Sequence, residues 1–393
     1  MRDGAMFKVK SKHDRFCVLK RVRAAACDCL ELPKYCDGMY IEEIGSGAFK
    51  GGAFKTVIIP DSVKRLAPKA FCGSDIEYIV VPETVEFIGK AAFRDCVNLR
   101  SVVIKNANAV IQPKIFDKCY HIAQADVPIS VASKAAFPRI AELTVSGAGR
   151  IEKSAFEDCK SLKRVTLGGG ITEIGESAFD CCDALEEVVF ADGLRRIESD
   201  AFAYCTARGA VELPETVEEI CAGAFCDSGI KTLSVAAGNK VYHSADNCVI
   251  RTADKRLVAG CSYSVIPNDG SVTTIGERAY ESCDEMTAVE IPDRITELCA
   301  NAFAWCDGLI EADLHEGVER IGDWAFEECA ALETVILPAS LAYLGLGVFD
   351  GCENLSEVCY NGTMAQWESL DKDAYWNSAL IETVHCSDGD IKL

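Results

Sequence analysis

Twenty-two cysteines are the first candidates for chemistry in this chain of 393 residues. The N-terminal group His13, Cys17, Cys27, Cys29 and Cys36 combines the two residue types that zinc favours. Its Cys-x-Cys pair is not the usual two-residue knuckle spacing, so a Cys-lined cap core competes with a thiol- or metal-responsive reading. No metal and no cofactor is assigned. The remaining histidines, His121, His243, His315 and His385, are scattered and none recurs at a fixed offset. None forms a recognisable triad with Ser, Cys or Asp, and the chain is read as a non-enzyme. Residues 45–52, Gly-Ser-Gly-Ala-Phe-Lys-Gly-Gly, superficially suggest a phosphate loop. Phe49 within them keeps step with a repeat that runs through the chain, so the phosphate reading is rejected.

That repeat must position everything else. A phenylalanine returns about every 23 residues through most of the chain: Phe49, Phe71, Phe93, Phe116, Phe137, Phe156, Phe179, Phe202, Phe225, then Tyr280, Phe303, Phe326 and Phe349. Nine of the thirteen are followed three residues later by Cys: Cys96, Cys119, Cys159, Cys182, Cys205, Cys283, Cys306, Cys329 and Cys352. Stacked units of this length share one continuous core, which overrides the two or three domains that length alone suggests. Leu99, Val102 and Ile104 alternate with outward positions and mark a strand, as do Leu332, Val335 and Leu337. Pro82, Pro128, Pro214, Pro292 and Pro338 close strands, where no ladder donor is needed. Ile88-Gly89, Ile174-Gly175, Ile275-Gly276, Ile321-Gly322 and Leu344-Gly345 mark a tight bend where glycine is expected to supply a positive φ. Phe, Cys and the next Leu fall at i, i+3 and i+6, which predicts a helical turn of one or two turns with its apolar side inward.

Exceptions carry information. After Phe49, Phe71 and Phe225 the next anchors, Phe54, Ile76 and Ile230, arrive one residue early, and Cys is missing in all three. The thiol therefore goes with the longer loop and reads as a small buried hydrophobe. Tyr280 follows Phe225 at an offset of 55, and Cys248 to Val258 reads as two short strands around a polar turn. A hairpin inserted at about 236–266 is expected, within a solenoid over 44–360 between an N-terminal cap at 1–43 and a C-terminal cap at 361–393. Phe7, Val9, Phe16 and Val18 suit a small hairpin that closes the first repeat.

Net charge is −21, although residues 1–23 hold eight Lys or Arg against two Asp. An acidic body repels phosphates, so nucleic acid is a poor partner. No apolar run reaches the length of a membrane span. The opening Met1-Arg2-Asp3-Gly4 has no apolar stretch of the secretory kind, so a cytoplasmic location with reduced thiols is the expectation.

The recurring Ile-Gly-x-x-Ala-Phe-x-x-Cys-x-x-Leu-x-x-Val-x-Ile-Pro resembles the BspA-like subclass of leucine-rich repeat proteins over roughly residues 32–360. Leu32-Pro33 through Ile44-Gly45 is similar to the family's first repeat, and Tyr360-Asn361-Gly362-Thr363 through Trp367 to its closing unit. The resemblance implies an α/β repeat solenoid, a right-handed stack with a parallel β face, short helical turns and one inserted β-hairpin. It also implies a binding role, often as a bacterial surface adhesin, which makes the cell surface the alternative location.

In the strand frame, residues flanking the inward Val point outward. They include Glu187, Glu212, Glu290, Glu311, Asp313 and Glu357, with Tyr78 nearer the N-terminus and Val103, Val189 and Ile336 interleaved. In a parallel stack these are expected to align as an acidic stripe with apolar gaps. The reading is a monomeric, non-catalytic scaffold that binds a protein or peptide partner, a basic one, on that face.

Overall fold

The computed structural model describes residues 5–13, 15–23, 25–132, 137, 139–205, 209–377 and 381–393. It divides into two compact units, Met1–Ile151 with Cys159–Ile171, and Glu152–Asp158 with Thr172–Leu393. Each is a β-solenoid of parallel strands with very little helix.

In the first unit, Cys27–Glu31, Phe54–Ile58, Tyr78–Val81, Ser101–Ile104, Gln124–Pro128, Glu142–Ser146 and Arg164–Leu167 pair in chain order as one parallel ladder. Alternation builds it: Ile79 and Val81 are buried while Tyr78 and Val80 face out. A second ladder of short strands, Met39–Ile44, Arg65–Leu66, Phe87–Ile88 and Val110–Ile111, closes the opposite side of each coil. Met6–His13 and Phe16–Arg23 form an antiparallel pair, and Phe16–Arg23 joins Met39–Ile44 in parallel. The pair covers the apolar end that a first repeat otherwise exposes.

In the second unit, Glu187–Phe190, Ala210–Leu213 and Thr232–Val235 form one run of parallel strands. Ala288–Ile291, Glu311–Leu314, Thr334–Leu337, Glu357–Tyr360 and Thr383–Cys386 form another, ended by antiparallel Gly389–Lys392. Strand ladders thus begin before residue 44 and continue past residue 360. Between the runs, Tyr242–Ala245, Cys248–Arg251 and Arg256–Ala259 make an antiparallel meander of three strands where two were expected. Arg256–Ala259 then pairs in parallel with Thr274–Ile275, so the insertion is built into the short-strand ladder.

The expected helical turns are absent from the Phe-x-x-Cys segments. Each is a pair of tandem β-turns: Ala92 N–H donates to the Gly89 carbonyl (3.2 Å) and Cys96 N–H to the Phe93 carbonyl (3.2 Å). The third residue of each turn is left-handed, Ala91 at φ 56° and Asp95 at φ 58°. A left-handed residue at every fourth position costs about 1–2 kcal/mol each and excludes a right-handed helix. The gain is hydrogen bonding between coils. Phe303 N–H donates to the Ala325 carbonyl (2.8 Å) and Phe326 N–H to that of Val348 (2.9 Å). Helix is confined, among the described residues, to Ile129–Ala132 and Met364–Ser369. The bend glycines also differ from expectation. They do not carry the positive φ; they let one coil approach the previous one. A Cβ on Gly89 would lie 2.4 Å from the Pro68 nitrogen, and one on Gly322 would lie 2.7 Å from the Ala300 nitrogen.

The phenylalanines stack along the core. Tyr280, Phe303, Phe326 and Phe349 are buried, with successive ring centroids 5.2, 5.3 and 5.8 Å apart. The cysteines do more than fill space. Cys306, Cys329 and Cys352 each donate a thiol hydrogen bond (3.1 Å) to the carbonyl of the aromatic residue one coil back, Tyr280, Phe303 and Phe326. The Tyr280 carbonyl also accepts from the Cys283 N–H of its own turn (3.2 Å), so both its lone pairs are used. In the shorter turn after Phe71 the place is taken by Ser74, also buried, whose hydroxyl lies 3.5 Å from the Cys96 sulfur. Tyr280 departs from Phe because its hydroxyl meets Cys248 of the meander at 3.2 Å.

Candidate partner-binding face

Parallel pairing turns the alternate residues of each strand into columns. On the second run of the second unit, Val289, Ala312, Val335 and Val358 point inward and are buried. Glu290 is in register with Asp313, Asp313 with Ile336, Ile336 with Cys359, and Cys359 with His385. The neighbouring column runs Ala288, Glu311, Thr334, and Glu357 in turn registers with Thr383. Glu290, Glu311, Glu357 and Cys359 are exposed and Asp313 is half-buried.

Of the residues named from sequence, the fold brings Glu290, Glu311 and Asp313 together on adjacent strands, with Glu357 two strands further along. Glu187 and Glu212 lie on the earlier run, Glu187 in register with Ala210 and Glu212 with Ser234. The meander separates the two runs, so the acidic column is interrupted and not continuous as expected. Tyr78 belongs to the other unit, in register between Thr56 and Ser101. There it borders an apolar column in which Ile58, Val80 and Val103 are in successive register, Ile58 and Val80 being nearly half exposed.

Two histidines that the sequence reading set aside lie among these carboxylates. His315 follows the Glu311–Leu314 strand, and its Nε2 lies 3.0 Å from Glu290 Oε1 while its Nδ1 lies 3.5 Å from Asp313 Oδ1. His385 lies 2.9 Å from Asp390 Oδ1 and 3.2 Å from Glu357 Oε2. The hydrogen bond with Glu290, then the charge of Asp313, raises the His315 pKa above the ordinary imidazole value. Asp390, then Glu357, raises that of His385. The available signal was position: His315 sits one residue beyond a strand frame, and His385 lies on a strand outside the repeat pattern.

The N-terminal cysteines do not gather at one point: Cys17 and Cys36 are neighbours, and Cys27 and Cys29 lie elsewhere. Cys17 is buried on Phe16–Arg23 and Cys36 lies on Tyr35–Cys36, which belongs to the same sheet. Cys27 and Cys29 lie on Cys27–Glu31 in a different sheet. Among the described residues no three of His, Cys, Asp or Glu are arranged to hold a metal ion; the side chain of His13 lies outside them. Burial pushes the Cys205 thiol up to about 12, and the neighbouring thiols of Cys306 and Cys352, then burial, hold Cys329 well above the ordinary range. These two thiols therefore stay protonated, as hydrogen-bond donors must.

A repeat solenoid with an outward strand face is the class defined so far. The family model for the BspA type leucine rich repeat region matches residues 42–145, 139–248 and 257–388. The chain belongs to that family. No curated protein matches it by sequence. Among solved structures, a leucine-rich repeat protein from Bacteroides ovatus is 20% identical, covering 98% of this chain and 99% of that one at a TM-score of 0.53. A leucine rich cell surface protein from Faecalibacterium prausnitzii is 21% identical, covering 95% and 98% at a TM-score of 0.46. The pneumococcal vaccine antigen PcpA is 16% identical, covering 97% and 85% at a TM-score of 0.42. No helix among the described residues is long and apolar enough to cross a membrane.

Proposed function

We propose that this protein is a non-catalytic, monomeric interaction scaffold whose strand face receives a basic protein or peptide. The supporting observation is the register of Glu290 with Asp313, with Glu311 in the adjoining column. Like charges directly across a ladder destabilise a sheet. Glu290, exposed, and Asp313, half-buried, are nonetheless kept in register, and a cationic partner would relieve their repulsion. Among the described residues the counter-charge near the pair comes from the single imidazole of His315, against two carboxylates. The same column continues through Ile336, which offers apolar contact between the acidic positions. Right-handed winding, with caps over 1–43 and 361–393, forms part of this reading.

The cytoplasmic placement expected from the opening residues draws no support from the comparisons. The surface alternative is tested by protease shaving of intact source cells. The binding reading is tested by affinity capture from those cells, followed by affinity measured across a salt series. Reversing Glu290, Glu311 and Asp313 to Lys is expected to weaken a captured basic partner at least about tenfold at low salt, through lost attraction and new repulsion. Affinity unchanged by the reversal would sink the idea. A single species of about one chain mass in sedimentation supports the monomer.

A further inference from the structure

The meander leaves a sheet edge open. Among the described residues, Ala288–Ile291 pairs with Glu311–Leu314 on one side and with no strand on the other. Thr232–Val235 ends the preceding run, and where the next strand of the face would lie the chain runs irregularly through 262–268. A cleft of about 600 Å³ separates that segment from the edge. Ser264 and Val265 line one wall, Ala288 and Glu290 the other, with Asp293 and His315 where the strands end. Val265 is 68% exposed, an apolar side chain left uncovered beside an uncovered edge.

Backbone geometry says what the edge offers. The Thr287 carbonyl accepts from Ile310 N–H (2.8 Å), so it faces the paired side. Main-chain direction alternates along a strand, which turns the N–H and C=O groups of Ala288 and Glu290 toward the cleft. An unpaired edge is a template for another strand, and proteins normally blunt it with bulges, Lys, Pro or a covering loop. Here the irregular segment stands off, and three flanking carboxylates, Glu290, Asp293 and Asp313, outnumber the one imidazole among them, His315.

We infer that the cleft takes an extended segment of a partner protein, with Lys or Arg alternating with apolar residues, added as a strand to the Ala288–Ile291 edge. Main-chain hydrogen bonds to Ala288 and Glu290 hold it, and its two side-chain faces are read separately. One face meets the carboxylates of Glu290, Asp293 and Asp313; the other meets the apolar wall at Val265. This deepens the acidic-face reading and rests on it for the sign of the partner's charge.

The test uses the full chain and a capped Lys-Val-Lys-Val-Lys-Val peptide, with two analogues N-methylated on alternate amides in opposite phase. All three carry equal charge, and only one set of amides can face the edge. One methylated analogue is expected to bind about tenfold more weakly than the parent, from the loss of one or two hydrogen bonds, and the other to bind as the parent does. Equal binding of both analogues, or no binding of the parent, overturns strand addition. The double variant Glu290→Lys with Asp313→Lys separates the two ideas. If it abolishes binding while the analogues bind alike, the acidic face stands and strand addition falls. If the analogues differ but charge reversal changes nothing, strand addition stands and the acidic-face reading falls.

Discussion

Phe326→Ala probes the packing on which every other statement about this chain depends. The Phe326 ring is fully buried, with its centroid 5.3 Å from Phe303 at 7° and 5.8 Å from Phe349 at 18°. Truncating a buried Phe to Ala costs about 3–5 kcal/mol in lost transfer energy and residual cavity. Each stacked pair contributes about 0.5–1.5 kcal/mol beyond its area, and Phe326 loses two, so the upper end of that range is expected. The neighbouring rings are held by their own tandem turns and by hydrogen bonds to the next coil, which limits collapse into the cavity. In a stack of coils the loss falls on one repeat and its two interfaces. A single unfolding free energy is then poorly defined, so hydrogen exchange followed by mass spectrometry is the appropriate assay. Peptides spanning residues 303–349 should lose about 3–5 kcal/mol of protection while those from the first unit keep theirs. A loss below about 1 kcal/mol in that region, or one centred elsewhere, would refute the stacked core.

Thiol titration of the native protein should label Cys29 and Cys359, both exposed, and spare Cys306, Cys329 and Cys352 until denaturant is added; rapid native labelling of those three contradicts their place in the core. Tyr280→Phe removes the hydroxyl that meets Cys248 and should cost about 0.5–1.5 kcal/mol in urea unfolding of the second unit; no change would mean that the contact contributes nothing. His315 should titrate above the ordinary value of about 6.5 in NMR and return toward it in Glu290→Gln with Asp313→Asn. Because the folded pKa is raised, the stabilisation it brings is fully present below the unfolded value and is lost as pH rises through the folded value; a titration unmoved by the double variant removes this linkage.

Legibility in the sequence followed locality. The strand frame at Leu332, Val335 and Leu337 could be read because inward and outward positions alternate within four residues, and all three are buried as that alternation requires. The turn after Phe326 could not. Its i, i+3 spacing is shared by a helix and by tandem turns, and the choice lies with the Phe326 N–H, which bonds to Val348 in the next coil. Cys329 looked like a space-filling residue because its acceptor, the Phe303 carbonyl, lies 26 residues earlier in the chain. For the same reason Tyr280 looked like a lapse in the series until Cys248 was placed beside it.

By itself, the period of Phe, Cys and alternating aliphatics determined a solenoid of the leucine-rich repeat class, because each coil has an apolar face that only another coil can bury. It also determined which carboxylates point outward, since strand alternation is local. Tertiary structure alone decided which of them meet. Glu290 and Asp313 share a register because their strands pair in parallel, while Glu187 and Glu212 lie on the run before the meander. The meander's effect on the sheet, an open edge at Ala288–Ile291, arises from contacts across the insertion, and contacts over that distance leave no periodic trace in a sequence.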